Sequence, residues 1–325
     1  MDTIVSGMRP TGRLHLGHFH GVLKNWVRLQ ESFRCYFFVA DWHALTTEYA
    51  TPEGISQNTV ETVIDWLSVG LNPKRSVIFR QSQVKEHAEL HLLYSMITPV
   101  PWLERNPTYK EQIKELSAKD LSTYGFLGYP VLQAADITIY RANKVPVGLD
   151  QAPHVELTRE IVRRFNQIYR PIFPEPETLL TEEQKLPGLD GRKMSKSYGN
   201  AVFLSDTPRE IDQKMSRMMT DPARVKRSDP GEPEKCPAFQ FHKIYSTAEE
   251  IEGVSRGCRT AGIGCLDCKK IMIKHVVDDL APVREARAAL ENKPQDVQDI
   301  LAAGNRAARA VAADTMAEVR EAVGL

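Results

Sequence analysis

Short apolar runs alternate with helically spaced ones over the first half of the chain. Ile4 and Val5 open a strand, and Gly7, Pro10 and Gly12 follow it as turn residues. Phe19, Val22, Leu23, Trp26 and Val27 then recur on a 3.6-residue period, which predicts an amphipathic helix. CYFFVAD (Cys35 to Asp41) and SVIFRQS (Ser76 to Ser82) are short apolar runs that suit parallel strands buried on both faces. Between them, Thr51-Pro52-Glu53 reads as an N-cap with proline at the first helical position, and Gly70 marks the end of that helix. Val145-Pro146-Val147 precedes a helical pattern from about Gln151 to Tyr169. Strands alternating with helices imply crossover units, hence an α/β fold with a Rossmann-like parallel sheet flanked by helices.

The pattern changes after Pro171. Pro, Gly and charge from Pro171 to Gly199 predict a long loop, and beyond Asp206 helical spacing continues without a buried strand. Arg284 to Leu325 is rich in Ala, Glu and Arg at helical spacing. The expected organisation is an α/β domain over residues 1–205 and an all-helical domain over 206–325. A length of 325 residues is enough for both. Hydrophobic residues at 42% and charged residues at 26% exclude a disordered or fibrous chain. Lys+Arg and Asp+Glu both number 42, so net charge points to no polyanionic partner, although a basic face can hide in a neutral total. No apolar run approaches the roughly 18 residues of a membrane span. The opening MDTIVSGMRP carries no charged-then-apolar signal segment, so a cytoplasmic protein with no membrane partner is expected.

Two segments carry phosphate chemistry. His15-Leu16-Gly17-His18 opens the first long helix just after the first strand, where free helix N–H groups meet ligands at the strand ends. Gly17 would let a purine approach the backbone, and the two imidazoles can donate to phosphate oxygens. Lys193-Met194-Ser195-Lys196-Ser197 lies in the long loop between Gly191 and Gly199. Two lysines three apart on a glycine-flanked loop can close over a polyphosphate and stabilise charge on a leaving group, a contribution of roughly 10²–10³ per donor.

HLGH followed by KMSKS resembles the signature pair of class I aminoacyl-tRNA synthetases. SGMRPTGRLHLGH, ADWHALT, YPVLQAADI, VPVGLDQ and GRKMSKS narrow the resemblance to the tryptophanyl-tRNA synthetases, over essentially the whole chain. That family implies a tryptophan–tRNA ligase with a Rossmann-type catalytic domain, a helical anticodon-recognising domain and a homodimer. Its partners would be L-tryptophan and tRNA(Trp), and its cofactor ATP with Mg²⁺. By the resemblance, ATP would be held by Arg9, Pro10, Thr11, Gly12, Gly17, His18, the Gly148-Leu149-Asp150 turn, Leu186 and the loop from Lys193 to Ser197. His15, His18, Lys193 and Lys196 would act on the phosphates.

Tyr129, Gln133 and Asp136 fall at i, i+4 and i+7 and so share one helical face. A carboxylate at Asp136 can accept an indole N–H, and a site built on such a bond rejects analogues that lack it. Gln133 and Gln151 are placed to hold the amino group, with Val5, Gly7, His43, Val145 and Val147 lining the ring pocket. Gln133 stands where many bacterial tryptophanyl enzymes carry Met, and Gln with Asp three residues later also occurs in the tyrosyl family.

Cys236, Cys258, Cys265 and Cys268 fall within 33 positions, whereas Cys35 stands alone. Four thiolates suit tetrahedral Zn²⁺ or an iron–sulfur cluster equally on count. The arrangement resembles a subset of tryptophanyl-tRNA synthetases with a C-terminal 4Fe–4S cluster, with one residue fewer in the long first interval. Arg256, Arg259, Lys269, Lys270 and Lys274 surround the last three cysteines and make the densest basic patch, a surface suited to phosphate backbones. His87 and His91 are four apart but lack a third ligand nearby, so they read as surface or packing residues. His20, His154, His242 and His275 have no assignment. The competing functions are the sister tyrosyl enzyme, a tRNA-independent adenylyl transferase, and a non-catalytic RNA-binding protein with a redox-sensing cluster. The paired loop argues against a pure binder, and a helical domain with a metal cluster argues against the small-molecule transferase.

Overall fold

The computed structural model describes residues 1–107, 109–110, 121–180 and 186–325; the side chain of Asp150 lies outside the described set. Five strands build one sheet: β1 (Thr3–Met8), β2 (Arg34–Val39), β3 (Ser76–Arg80), β4 (Lys144–Val147) and β5 (Glu177–Leu180). Their order is β3-β2-β1-β4-β5, with every neighbouring pair parallel. The chain winds outward from β1 to β3, then crosses to β4 on the other side. The strand order therefore reverses between β1 and β4, and a crevice opens at their carboxyl ends. Pairing there is minimal: Ile4 meets Lys144, and no further β1–β4 register follows. Pro146 has no N–H to donate, which suits a strand that parts from its neighbour.

Alternate strand residues feed opposite cores. Ile4, Cys35, Phe37, Val39 and Ile78 join one cluster with Trp26 and Trp66. Val5, Tyr36, Phe38 and Phe79 join a second with Tyr94, Ile161 and Phe165. The period-2 pleat of runs that are apolar on both faces accounts for this division.

The helix expected after β1 is not uniform. It starts as one α-turn (Leu16–His18), passes through a π-helix (Phe19–Leu23) and ends as α-helix (Lys24–Leu29). π-turns of this kind frequently occur at functional sites. The helix expected from Thr51 starts later, at Ile55, with Gly54 as its N-cap. Glycine is about 1 kcal/mol less favourable than alanine inside a helix, so Thr51 to Gly54 turns instead. Gly70 does end that segment, at φ 105°. The Pro171–Gly199 loop contains β5, a four-residue strand paired only with β4.

The C-terminal region is helical, as the pattern predicts: Pro208–Ser216, Pro237–Tyr245, Ala248–Arg259, Cys265–Glu291 and Pro294–Val323. Met272, Val276 and Leu280 of the 265–291 helix share the first core cluster with Ile4 and Phe37. The 294–323 helix returns to the sheet and covers the edge strand β3. Asn305 Oδ1 accepts the Arg80 N–H at 2.9 Å, occupying a donor that an edge strand leaves free. A Cβ on Gly304 would lie 1.8 Å from the Ile78 carbonyl oxygen, so only glycine permits this approach. Among the described residues no helix is long and apolar enough to cross a membrane.

Candidate active site

A cavity of about 430 Å³ occupies the crevice where β1 and β4 part. Residues 5–9 form one wall and residues 145–148 another, with Gly21, Val22 and Asn25 from the π-turn region. Gly7 is required there: a Cβ would lie 2.4 Å from the Phe38 ring. All nine residues expected around the amino acid line this cavity: Val5, Gly7, His43, Tyr129, Gln133, Asp136, Val145, Val147 and Gln151. Of the residues expected around ATP, Arg9, Thr11, His18 and Gly148 line it as well.

The first phosphate segment is built by its own imidazoles. His15 is the helix N-cap, and its Nδ1 accepts the Gly17 N–H at 3.1 Å. The His15 N–H donates to His18 Nδ1 at 3.3 Å. A ring nitrogen that accepts carries no proton, so each imidazole is neutral and keeps its N–H on Nε2. Burial, reinforced by the Lys196 charge, lowers the His15 pKa to about 4, and burial with His15 and Lys196 lowers that of His18 well below the ordinary value. Both are hydrogen-bond donors at neutral pH without being cations.

The lysine loop lies beside this turn although 175 residues separate His18 from Lys193. The Leu16 N–H donates to the Val202 carbonyl and the Leu204 N–H to the Leu14 carbonyl, both at 3.0 Å. Met194 is buried and Lys193 is exposed. Lys196 Nζ donates to the Thr11 carbonyl at 2.9 Å, and a Cβ on Gly12 would lie 3.7 Å from the same ammonium. Burial brings the Lys196 pKa down to about 8, with Asp65 opposing. Asn200, which sequence reasoning missed, shapes the loop: its amide accepts the Ser195 N–H at 2.8 Å and donates to the Lys193 carbonyl at 3.1 Å. Ser195 and Ser197 hydroxyls pair at 2.9 Å. Pro10, Gly12, Gly17, Leu149, Leu186 and the loop from Lys193 to Ser197 are not in the cavity wall itself.

The other end of the cavity is a buried polar cluster. The Tyr124–Thr138 helix places Tyr129, Gln133 and Asp136 on one face, as their spacing predicts. Asp136 is 1% exposed and fully engaged. It accepts from Gln81 Nε2 at 2.8 and 2.9 Å, from His43 Nε2 at 2.7 Å and from His87 Nδ1 at 2.6 Å. Burial alone would raise its pKa; the bonds from His43 and His87 hold it at about 2. His87 is therefore neither a surface residue nor simple packing: it is fully buried between Asp136 and the Tyr140 hydroxyl, 2.6 Å from the latter. The signal available for it is its place at i, i+3 and i+7 with the buried Leu90 and Tyr94 of the same helix. Tyr129 is anchored by His154, its hydroxyl 3.1 Å from Nε2. His20 likewise meets the Tyr245 hydroxyl at 2.6 Å, and His275 meets Glu250 at 2.8 Å.

Cys236, Cys258, Cys265 and Cys268 line a second, small pocket with Arg224 and Lys269 in its wall. His242 Nε2 lies 3.2 Å from the Cys268 sulfur. Among the described residues, no group of three or more His, Cys, Asp or Glu is set to hold a metal ion. The basic patch is smaller than expected. Lys269 is buried and donates to the Ser216 carbonyl at 2.9 Å, while Arg256, Arg259 and Lys274 pair with Glu252, Glu234 and Asp278.

Residues 2–280 match the family model of tRNA synthetases class I (W and Y). The chain is 56% identical over 324 residues to a tryptophan–tRNA ligase of Thermotoga maritima, covering 99% of each chain. It is 46% identical to one of Aquifex aeolicus, again over 99% of each. The crystal structure of tryptophanyl-tRNA synthetase from Campylobacter jejuni, complexed with ADP and tryptophan, superimposes with a TM-score of 0.89 at 33% identity, covering 99% of this chain and 100% of that one. The chain belongs to the class I tRNA synthetases (W and Y), on their tryptophanyl branch.

Proposed function

We infer that this chain is a tryptophan–tRNA ligase: it activates L-tryptophan with ATP and transfers it to the 3′ end of tRNA(Trp). The observation that carries the reading is a single cavity with phosphate-directed donors near one end and a buried carboxylate at the other. A tryptophan carboxylate oxygen attacks the α-phosphorus, the bond to the bridging oxygen of the β-phosphate breaks, and pyrophosphate leaves with that electron pair. A terminal ribose hydroxyl of the tRNA then attacks the acyl carbon, loses its proton, and AMP leaves. His15 and His18 donate to phosphate oxygens, and Lys193 and Lys196 bear on the leaving pyrophosphate. Mg²⁺ bound with ATP would supply neutralisation of the phosphate charge. Among the described residues of the cavity wall Asp136 is the only acid, so the ion's ligands would be phosphates and water.

Asp136 receives the indole N–H, and Gln133 and Gln151 hold the amino group. The test is amino-acid-dependent ATP–pyrophosphate exchange without tRNA. Exchange with tryptophan and none with tyrosine is expected; exchange with tyrosine would move the assignment to the sister enzyme.

The four cysteines would hold a 4Fe–4S cluster. What supports this reading is that all four thiols line one small pocket, although among the described residues they are not drawn together as a metal-holding group, with Arg224 and Lys269 in the wall to offset thiolate charge. A cluster of several atoms bridges thiols spread around a cavity, whereas zinc requires all four sulfurs within about 2.3 Å of one point. Such a group would staple the start of the Cys265–Glu291 helix to Cys236 and Cys258, in the part of residues 206–325 that would meet the anticodon arm. Iron, sulfide and zinc content of anaerobically purified protein decides between the metals.

A homodimer is supported by exposed apolar residues on neighbouring helices: Leu92, Met96, Val100 and Tyr124 are each more than half exposed. Light scattering gives the mass.

A further inference from the structure

Asp136 has more partners than a substrate-binding carboxylate needs, and they differ in kind. Gln81 spans both oxygens and is itself fixed, because its own carbonyl accepts the Trp42 N–H at 3.1 Å. His87 holds Oδ1 and is 0% exposed. His43 holds Oδ2 and lies in the cavity wall. An ionised carboxylate only accepts, so His87 Nδ1 carries the proton of that bond. In the neutral ring its Nε2 accepts the Tyr140 O–H, 2.6 Å away. Tyr140 is itself buried and stacked on Tyr36 at 4.6 Å, so the relay rests on rigid aromatic packing. In that tautomer the chain runs Tyr140 O–H to His87 to Asp136.

We propose that His87 is a positioning residue for amino-acid selection: backed by Tyr140, it fixes one oxygen of Asp136 and leaves the other, held by His43, as the edge a substrate ring N–H can take over. The inference rests on the reading of Asp136 as the indole partner. It adds that selectivity depends on a residue that never touches the substrate. A carboxylate free to rotate would meet an N–H in several geometries, and the penalty against a ring without that N–H would shrink.

The experiment compares exchange kinetics for tryptophan and for benzothienylalanine, the isostere with sulfur in place of the ring N–H. Wild-type protein should favour tryptophan by about 10² or more in kcat/KM. His87→Leu should lower that ratio about tenfold, mainly through the tryptophan KM, with the ATP KM unchanged. His87→Asn, which keeps an N–H near the Nδ1 position, should retain most of the ratio, and Tyr140→Phe should lower it in the same direction by less. An unchanged ratio in His87→Leu overturns the proposal; where that variant does not fold, an unchanged ratio in Tyr140→Phe does so. Wild-type protein that accepts both amino acids equally overturns the reading of Asp136 itself.

Discussion

Lys196 is latched to Thr11: its ammonium donates to the carbonyl oxygen at 2.9 Å and to the hydroxyl at 3.2 Å. The loop after β4 and β5 is thereby tied to the turn after β1. A lysine bonded to neutral oxygens gains when a polyphosphate replaces them, because the new acceptors carry full opposite charge and add direct coulombic attraction. The same exchange draws the loop over the leaving group. Lys196→Ala should therefore reduce the rate of adenylate formation by about 10²–10³ while leaving tryptophan binding within a small factor. Rapid-quench measurement of adenylate at saturating tryptophan checks this, and a normal rate in the variant rules the latch out of catalysis.

The two motif histidines and this lysine set different pH limits. His15 titrates at about 4 and His18 well below the ordinary imidazole range, both through burial first, so neither gains charge between pH 6 and 8. Lys196 is lowered to about 8 by burial, so it loses its proton, and its attraction for phosphate, as pH rises through that value. The expected profile of kcat/KM for ATP is level from pH 6 to 7.5 and falls above about 8. Lys196→Arg, which keeps its charge, should move the fall to higher pH. An acid limb near pH 6.5 that His15→Asn removes would instead require a charged imidazole.

Arg287 is 3% exposed and pairs with Asp65, itself fully buried, and with Glu61. Asp65 in turn accepts the Leu14 N–H at 2.8 Å, directly before the histidine motif. One ion cluster thus joins the 265–291 helix, whose first turn bears Cys265 and Cys268, to the phosphate end of the site. That helix is about 40 Å long. Arg287→Met leaves a buried carboxylate without its cation and should cost about 3–5 kcal/mol in denaturant unfolding. The pH dependence has a defined sign. Burial raises Asp65 from 3.8 to about 6, with Arg287 opposing, so the folded state binds its proton more tightly than the unfolded one. Stability from this group is full below about pH 4 and is lost as pH rises towards 6. Removing Arg287 should deepen that loss, and Asp65→Asn in the Arg287→Met background should relieve it.

What was legible in the sequence follows from which interactions are local. β2 and β3 stood out because strands buried on both faces are uninterrupted apolar runs, and Tyr129, Gln133 and Asp136 because helical period is local. The adjacency of HLGH and KMSKS required the family resemblance, since the Leu16–Val202 and Leu204–Leu14 bonds are backbone pairings with no residue code. β5 was hidden because four residues paired on one side need no strong pattern. His87 was misjudged because its partners come from other elements: Asp136 is 49 positions away and Tyr140 is 53. The basic patch was overestimated for the complementary reason, as its acids lie one helical turn away or on a neighbouring segment.

The same non-local logic governs the last helix. Gly304 looks like a weak point in a 30-residue helix, because glycine there loses about 1 kcal/mol against alanine. Its contact reverses the expectation. An alanine Cβ would sit 1.8 Å from the Ile78 carbonyl oxygen, a backbone atom of β3 that cannot turn aside. The helix would have to lift from the edge strand, which lengthens the Asn305–Arg80 bond and loosens the packing of Ala308, Ala312 and Met316 in the second core. Gly304→Ala should therefore destabilise by about 1–3 kcal/mol net, despite the gain in helix propensity. Amide exchange locates the effect: the Arg80 N–H should lose protection in the variant ahead of the central strand β1. A variant as stable as wild type, with Arg80 still protected, would mean that the helix tolerates displacement and that β3 is covered loosely.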